Sequence, residues 1–162
     1  MNIFSALRLS GAVLGLSILA GCSALPIAPT GSVGAVALDR GSAEAMISAY
    51  RREHGLPAVQ LDATLTAVAQ RQADAMAGRN VLSHEVAGSL PERLAEGGAD
   101  RRAAIENVSA GYASFASALE GWKRSPHHND NLLFAPMRRM GIAAAEAPGT
   151  RYKTFWSLVM TN

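Results

Sequence analysis

The C-terminal segment from Met140 to Met160 constrains the fold most, because it predicts a hairpin that is apolar on both faces. Met140 to Ala145 is typical of a strand, Ala147-Pro148-Gly149-Thr150 is a turn signal, and Tyr152 to Met160 is typical of a second strand. Alternation puts Tyr152, Thr154, Trp156, Leu158 and Met160 on one face of that strand, and Phe155 and Val159 on the other. Apolar residues on both faces have to be covered on both sides. The sequence therefore predicts an antiparallel hairpin packed between other elements.

Helices are predicted for much of the chain before this hairpin. They run from Ser42 to about His54, from Asp62 to about Ala77, from Ser114 to about Arg124, and from Ser125 to about Leu133. Each starts at a serine or aspartate, whose side chain can accept a hydrogen bond from the first helical turn. The inner stripe of the second helix is predicted to be Leu65, Val68, Ala69, Gln72 and Met76. Ala103 to Val108 is compatible with either helix or strand.

The N-terminus has the pattern of a targeting segment. Arg8 is the only charge before Asp39, and Leu9 to Ala20 is an apolar run of about a dozen residues, too short to span a bilayer. The run ends in Leu19-Ala20-Gly21-Cys22, which resembles the processing site of bacterial lipoproteins, where the cysteine is diacylated. The alternative is an ordinary secretory signal with a chance cysteine. We therefore expect a lipoprotein signal peptide over residues 1–21, lipid on Cys22, and a flexible tether over residues 22–40.

The remaining residues, 41–162, have the length of a single domain. Cys22 is the only cysteine, so a lipidated chain has no free thiol and no disulfide. Without Arg8, the 15 basic residues become 14 against 13 acidic ones, a net charge of +1. Basic residues occur as scattered pairs rather than on one face, which argues against nucleic acid as a partner. The lipid predicts the cell envelope as the location, and the outer membrane if the source is Gram-negative.

Three short segments hold the residue types that bind metals or move protons near neutral pH. They are Ser83-His84-Glu85, Glu106-Asn107-Val108, and Trp122 to His128. Periodicity does not show whether they meet in space. Each residue also has a structural alternative: His84 as a loop histidine bonded to backbone, Glu106 as a hydrogen-bond acceptor, and His128 packed within the short helix. Adjacent side chains diverge by about 100° on a helix, so either His127 or His128 is expected to face solvent.

The ordered set of motifs is more specific than any one of them. It comprises Tyr50-Arg51-x-x-His54-Gly55-Leu56-Pro57, Leu61-Asp62-x-x-Leu65, Ser83-His84, Glu106-Asn107-Val108, Trp122-x-x-Ser125-Pro126-x-His128-x-x-Asn131-Leu132-Leu133, Met140-Gly141-Ile142 and Phe155-Trp156. This set resembles the bacterial branch of the CAP superfamily, named for cysteine-rich secretory proteins, antigen 5 and pathogenesis-related proteins. The resemblance covers residues 42 to 160. It implies an α+β fold, an α–β–α sandwich with a small antiparallel sheet between helices.

The resemblance also implies a polar site. Many family members have a cavity lined by two histidines and two acidic residues, and in some of them it binds a divalent metal such as zinc. His84 matches the first histidine, Glu106 the carboxylate of the Glu-Asn segment, and His128 the second histidine. The resemblance thus implies a polar cavity at His84, Glu106 and His128, with zinc as the metal that these residues would bind.

The sequence departs from the family pattern in three places. His127 stands where the bacterial segment usually has glycine, and Asn129 where it often has arginine. The second acidic residue has no counterpart near Ser125, and Glu85 is an alternative carboxylate. The fourth member of the site is therefore left open in this sequence.

No motif specifies a reaction. The chain lacks His-Glu-x-x-His and Gly-x-Ser-x-Gly, the helix-borne zinc ligands and the serine elbow of known hydrolases. We expect an envelope-anchored module that recognises an envelope protein, a lipid or a wall component, and we assign no catalytic residue. A metal-dependent hydrolase of envelope peptides or glycans is the alternative. A third hypothesis is a structural lipoprotein whose polar residues only hold loops.

Overall fold

The computed structural model describes residues 33–99 and 103–162. Its elements are β1 (Gly34–Ala35), α1 (Arg40–Glu53), β2 (Gln60–Leu61), α2 (Ala63–Arg79), α3 (Leu90–Glu96), β3 (Ala104–Ala110), α4 (Phe115–Arg124), α5 (Pro126–Leu132), β4 (Arg139–Ala147) and β5 (Lys153–Thr161). The predicted signal peptide and the predicted lipid on Cys22 lie outside the described residues.

The strands form one sheet around the predicted hairpin. Their order is β1-β4-β5-β3, and β2 adds to β4 in parallel. β4 pairs antiparallel with β5 from Arg139 opposite Thr161 to Ala147 opposite Lys153. The segment that the sequence left open is a strand, since β3 pairs along β5 over all seven of its residues.

Two helical layers cover the two faces of this sheet. Trp156, Leu158 and Met160 pack in a core with residues of α1, α4 and α5. Phe155 and Val159 pack in a second core with residues of α2 and α3. The α+β sandwich is confirmed, and the apolar character of both strand faces is its cause.

The predicted face of Tyr152 is wrong. Its ring packs in the second core, 5.7 Å from the ring of Phe155 between centroids, rather than beside Trp156. Lys153, the first residue of β5, has a left-handed backbone with φ of 63°, which interrupts the alternation of side chains between Tyr152 and Thr154.

Side-chain caps set the starts of three helices. Asp62 and Ser114 are confirmed as N-caps, since Asp62 Oδ1 accepts from the Leu65 N–H at 2.9 Å and Ser114 Oγ from the Ser117 N–H at 3.3 Å. The prediction of Ser42 as a cap is wrong. α1 begins at Arg40, so Ser42 lies within its first turn, and its N–H donates to Oδ1 of the cap residue Asp39 at 3.1 Å.

Residues 34–40 contact the sheet, within the segment that the sequence predicts as a tether. Gly34 and Ala35 pair with Glu146 and Ala145 at the edge of β4. Arg40 Nε donates to the carbonyl of Ile142, 3.2 Å away, on the same edge. Within residues 33–99 and 103–162, no helix has both the length and the apolar character needed to cross a membrane.

α2 lies directly against β4 at Gly141. A Cβ at this glycine would overlap the backbone of Leu65 and Thr66, at the start of α2. Leu65 and Met76 are fully buried on the side of α2 that faces the sheet. The predicted inner stripe of α2, Leu65, Val68, Ala69, Gln72 and Met76, is confirmed, since all five residues are buried.

Candidate functional site

Glu106 and Asn107 point to opposite layers because they are neighbours on β3. Glu106 lies on the same face as Val108, toward α3 and the loop that follows α2. Asn107 Nδ2 instead donates to the carbonyl of His128 in α5, 3.0 Å away. This Glu-Asn pair therefore joins both layers at one point of the sheet.

The carboxylate of Glu106 is buried and has partners on both oxygens. Its side chain is 2% exposed. Oε2 is 2.8 Å from His84 Nδ1 and accepts from Arg93 Nη2 at 3.0 Å. Oε1 accepts from the hydroxyl of Ser157 at 3.3 Å and lies 2.9 Å from Arg93 Nη1 in an ion pair without hydrogen-bond alignment.

His84 is held in its loop from below. Gln72, fully buried on α2, donates from Nε2 to the Ser83 carbonyl at 2.6 Å and accepts from the Ala87 N–H at 3.2 Å. The side chain of His84 is 52% exposed, so part of the ring is open to solvent while Nδ1 contacts Glu106. The hydrogen bond to Glu106 raises the pKa of His84 above its usual value, and partial burial opposes this shift.

His128 approaches the site through its backbone. Asn131 Nδ2 donates to the Glu106 carbonyl at 3.2 Å and to Asn107 Oδ1 at 2.9 Å, which ties α5 to β3. The ring of His128 is partly buried, whereas His127 is exposed, in line with the predicted divergence. Burial lowers the pKa of His128, and the charges of His84 and His127 lower it further.

Arg93 is the site residue that sequence reasoning missed. It is fully buried on α3, which begins with a capping box between Ser89 and Glu92 and has Pro91 in its first turn. The serine, proline and glutamate predict a helix start. No local pattern indicates that Arg93 pairs with Glu106, which lies 13 residues later on β3. Glu85, the alternative carboxylate, is exposed.

A groove of about 430 Å³ lies between α2 and α3. Its lining includes Arg93 and Glu96 but not His84, Glu106 or His128. His84 and Glu106 meet under the 83–89 loop, beside this groove rather than on its wall, and His128 lies on the other face of β3.

The family model described as "Cysteine-rich secretory protein family" (CAP) matches residues 45–160. This chain belongs to the CAP family. The match runs from within α1 to within β5 and includes the three segments that supply His84, Glu106 and His128.

Two relatives from Bacillus subtilis (strain 168) are longer than this chain. "Uncharacterized membrane protein YlbC" is 32% identical over 99 residues, 60% of this chain and 29% of that protein. "Uncharacterized protein YkwD" is 25% identical over 104 residues, 63% of this chain and 40% of that protein. The chain thus spans well under half the length of either relative.

Solved structures share the fold. An extracellular protein containing a SCP domain from Bacillus anthracis str. Ames has a TM-score of 0.66 and 27% identity, over 75% of this chain and 39% of that one. An outer surface protein from Borrelia burgdorferi has a TM-score of 0.67 and 18% identity, over 75% of this chain and 90% of that one. The second likeness concerns the fold alone.

The three predicted metal ligands do not fit a single ion as they are placed. In the described part of the chain, no three His, Cys, Asp or Glu side chains gather into a metal-binding group. Both oxygens of Glu106 are engaged, and Arg93 already supplies a positive charge beside them. Glu106 can orient the His84 ring by accepting from Nδ1, which leaves the lone pair of Nε2 in the neutral ring free to bind a metal. Zinc binding by this site stays a prediction.

Proposed function

We propose that this CAP domain is a binding module of a bacterial cell envelope, anchored by a lipid on Cys22, and that it recognises a protein, a lipid or a wall component there. The observation that carries the proposal is that the carboxylate of Glu106 is buried and fully engaged with other side chains. A carboxylate that is 2% exposed and bonded to Arg93, His84 and Ser157 holds the structure together. A general base has to reach a proton on the substrate, and this one cannot.

The envelope location is supported by two independent features. Leu19-Ala20-Gly21-Cys22 has the pattern of a lipoprotein processing site, at the end of an apolar run of signal length. The similar solved structures include an extracellular protein and an outer surface protein, and YlbC is named a membrane protein.

Lipid attachment is tested by comparing the full chain with its Cys22→Ser variant in the source bacterium. The wild type is expected to partition into Triton X-114 detergent and to be labelled by an alkyne palmitate analogue. The variant should be unlabelled and should stay in the aqueous phase. Equal behaviour of the two proteins would contradict the lipid anchor.

Binding is tested by co-sedimentation of the purified protein with envelopes from a strain that lacks it. We expect saturable binding that EDTA leaves unchanged, with no peptide or glycan fragments released into the supernatant. Prior protease treatment, lipid extraction or wall digestion of the envelopes identifies the class of partner. Non-saturable sedimentation after all three treatments would contradict a specific binding module.

The alternative function, a metal-dependent hydrolase, has one supporting feature. His84 is 52% exposed and contacts Glu106 through Nδ1, a contact that leaves its other ring nitrogen available to bind a metal. The same envelope experiment separates the two functions. Fragment release that zinc restores after EDTA, and that His84→Ala abolishes while the control His54→Ala does not, would favour the hydrolase.

A further inference from the structure

A buried carboxylate needs a positive partner, and in this site the partner is a side chain of the domain itself. The side chains of Glu106 and Arg93 are 2% and 0% exposed, so water compensates neither charge. Arg93 Nη1 is 2.9 Å from Oε1, and Nη2 is 3.0 Å from Oε2. One carboxylate and one guanidinium make a neutral buried pair. A divalent ion on the same oxygens would leave an excess of buried positive charge.

The remaining contacts of Glu106 are also taken. His84 Nδ1 lies 2.8 Å from Oε2, and the Ser157 hydroxyl donates to Oε1 at 3.3 Å. Each oxygen therefore has two polar neighbours, so a metal could bind Glu106 only after Arg93 had moved away.

Arg93 reaches the loop of His84 as well as the carboxylate. Its Nε donates to the Gly88 carbonyl at 3.0 Å, and its Nη2 donates to the His84 carbonyl at 3.2 Å. The same guanidinium thus holds the backbone of His84 and the carboxylate that orients the His84 ring. Moving it would release both.

We propose that Arg93 is the resident cation of this site: it holds Glu106 in place of a divalent metal and positions His84 with its Nε2 edge toward solvent. Arg93 is a positioning residue, and Glu106 is not a metal ligand in this protein. This inference does not depend on the envelope role, because it concerns only the internal contacts of the domain.

The direct test uses crystals of the wild-type protein soaked in zinc chloride and measured at the zinc absorption edge. We expect no anomalous peak at bonding distance from Glu106, about 2.0–2.2 Å for a carboxylate oxygen. A peak on His84 Nε2 alone, or no peak at all, supports the proposal. Zinc bonded to a Glu106 oxygen overturns it, whatever the variants do.

The second test removes the internal cation. In Arg93→Met the carboxylate is free, so zinc is expected to raise the melting temperature, and this rise should disappear in Arg93→Met/Glu106→Gln. The matched control is Arg71→Met, which removes an exposed arginine paired with Glu96. In the wild type and in Arg71→Met, zinc should cause no change in melting temperature that depends on Glu106. A Glu106-dependent shift in the wild type would contradict the proposal, and the zinc soak decides if Arg93→Met does not fold.

Long-range ¹H–¹⁵N correlation spectra, which show which ring nitrogen of His84 carries the proton, test the positioning role of Arg93. In the wild type and in Arg71→Met, the neutral ring is expected to keep its proton on Nδ1, toward Glu106. In Arg93→Met the ring should become a mixture of tautomers. An unchanged Nδ1–H ring in a folded Arg93→Met protein would show that Arg93 does not position His84.

Discussion

At the scale of single residues, Arg93 and Arg71 form the same kind of ion pair in opposite surroundings. The Arg93–Glu106 pair is buried, whereas the side chains of Arg71 and Glu96 are 51% and 56% exposed. Removing one partner of a buried pair leaves an uncompensated charge and typically costs about 3–5 kcal/mol, whereas an exposed pair contributes at most about 1 kcal/mol.

We therefore expect Arg93→Met to lower the free energy of unfolding by about 3–5 kcal/mol and Arg71→Met by less than about 1 kcal/mol. Urea denaturation followed by circular dichroism measures both at one pH. Similar losses in the two variants would mean that Glu106 finds another partner or that the 83–89 loop lets water reach it.

The pKa values of the two site histidines, His84 and His128, are expected to be shifted in opposite directions from the ordinary histidine pKa of 6.5. The hydrogen bond to Glu106 raises the pKa of folded His84, so its stabilising contribution is full below pH 6.5 and is lost as the pH rises through the folded pKa. Burial lowers the pKa of folded His128, so its contribution to stability falls as the pH drops below 6.5.

Histidine ring shifts followed by NMR from about pH 4.5 to 9 check this prediction, a range that brackets the ordinary histidine pKa. The midpoint of His84 should lie above that of His128, and Glu106→Gln should move the His84 midpoint down toward 6.5 because the charged acceptor is gone. The exposed neighbour Glu85 provides the control, since Glu85→Gln keeps the Glu106 contact. A His84 midpoint at or below that of His128 would contradict the geometry of the site.

At the scale of elements, the packing of α2 on β4 depends on one missing side chain. At Gly141 a Cβ would overlap the backbone of Leu65 and Thr66, and backbone cannot rotate away as a side chain can. Gly149, in the turn between β4 and β5, has open space where its Cβ would be.

Gly141→Ala is therefore expected to lower the free energy of unfolding by about 1–3 kcal/mol or more, the usual cost of overpacking. Gly149→Ala is the matched control and should change stability little, or raise it slightly by restricting the unfolded chain. Chemical denaturation of both variants gives the comparison. Equal free energies of unfolding for the two variants would mean that α2 can shift on the sheet without a loss of stability.

Local signals explain which elements the sequence could predict. Asp62 and Ser114 act on donors within their own helical turns, and the stripe of α2 repeats every three to four residues, so neither needs tertiary information. β3 could not be assigned, because Glu106 and Asn107 are polar residues in buried positions, a pattern typical of neither an amphipathic strand nor a helix. The prediction that Ser42 caps α1 was wrong because two possible caps, Asp39 and Ser42, lie one turn apart.

The site was predictable only as far as family resemblance reached. His84 and Glu106 do meet, and the contact lies between a loop and a strand that are 22 residues apart. Arg93 was missed because its role depends on α3 facing β3, which no spacing in the sequence encodes. His128 lies on the α5 side of the same strand, and the alternation of Glu106 and Asn107 explains why its link to the site is through backbone.

At the scale of the whole molecule, the edge of the sheet at β4 is covered by two short strands and two side chains. β2 covers one end of β4 and β1 the other, and between them Arg40 Nε and Gln70 Nε2 donate to the carbonyls of Ile142 and Ala144. An uncovered edge strand is open to pairing with other chains. The segment of residues 33–40 therefore protects the edge as well as starting α1.

This arrangement predicts that the stability of the isolated domain depends on whether the chain begins at residue 33 or at residue 41. A chain from residue 41 lacks the pairs of Gly34 and Ala35, the Arg40 bond and the Asp39 cap, which alone typically contributes about 0.5–2 kcal/mol. We expect it to unfold at lower urea concentration than a chain from residue 33, and to associate more at high concentration by light scattering. If both chains have the same stability and stay monomeric, residues 33–40 act as the tether that their composition predicted.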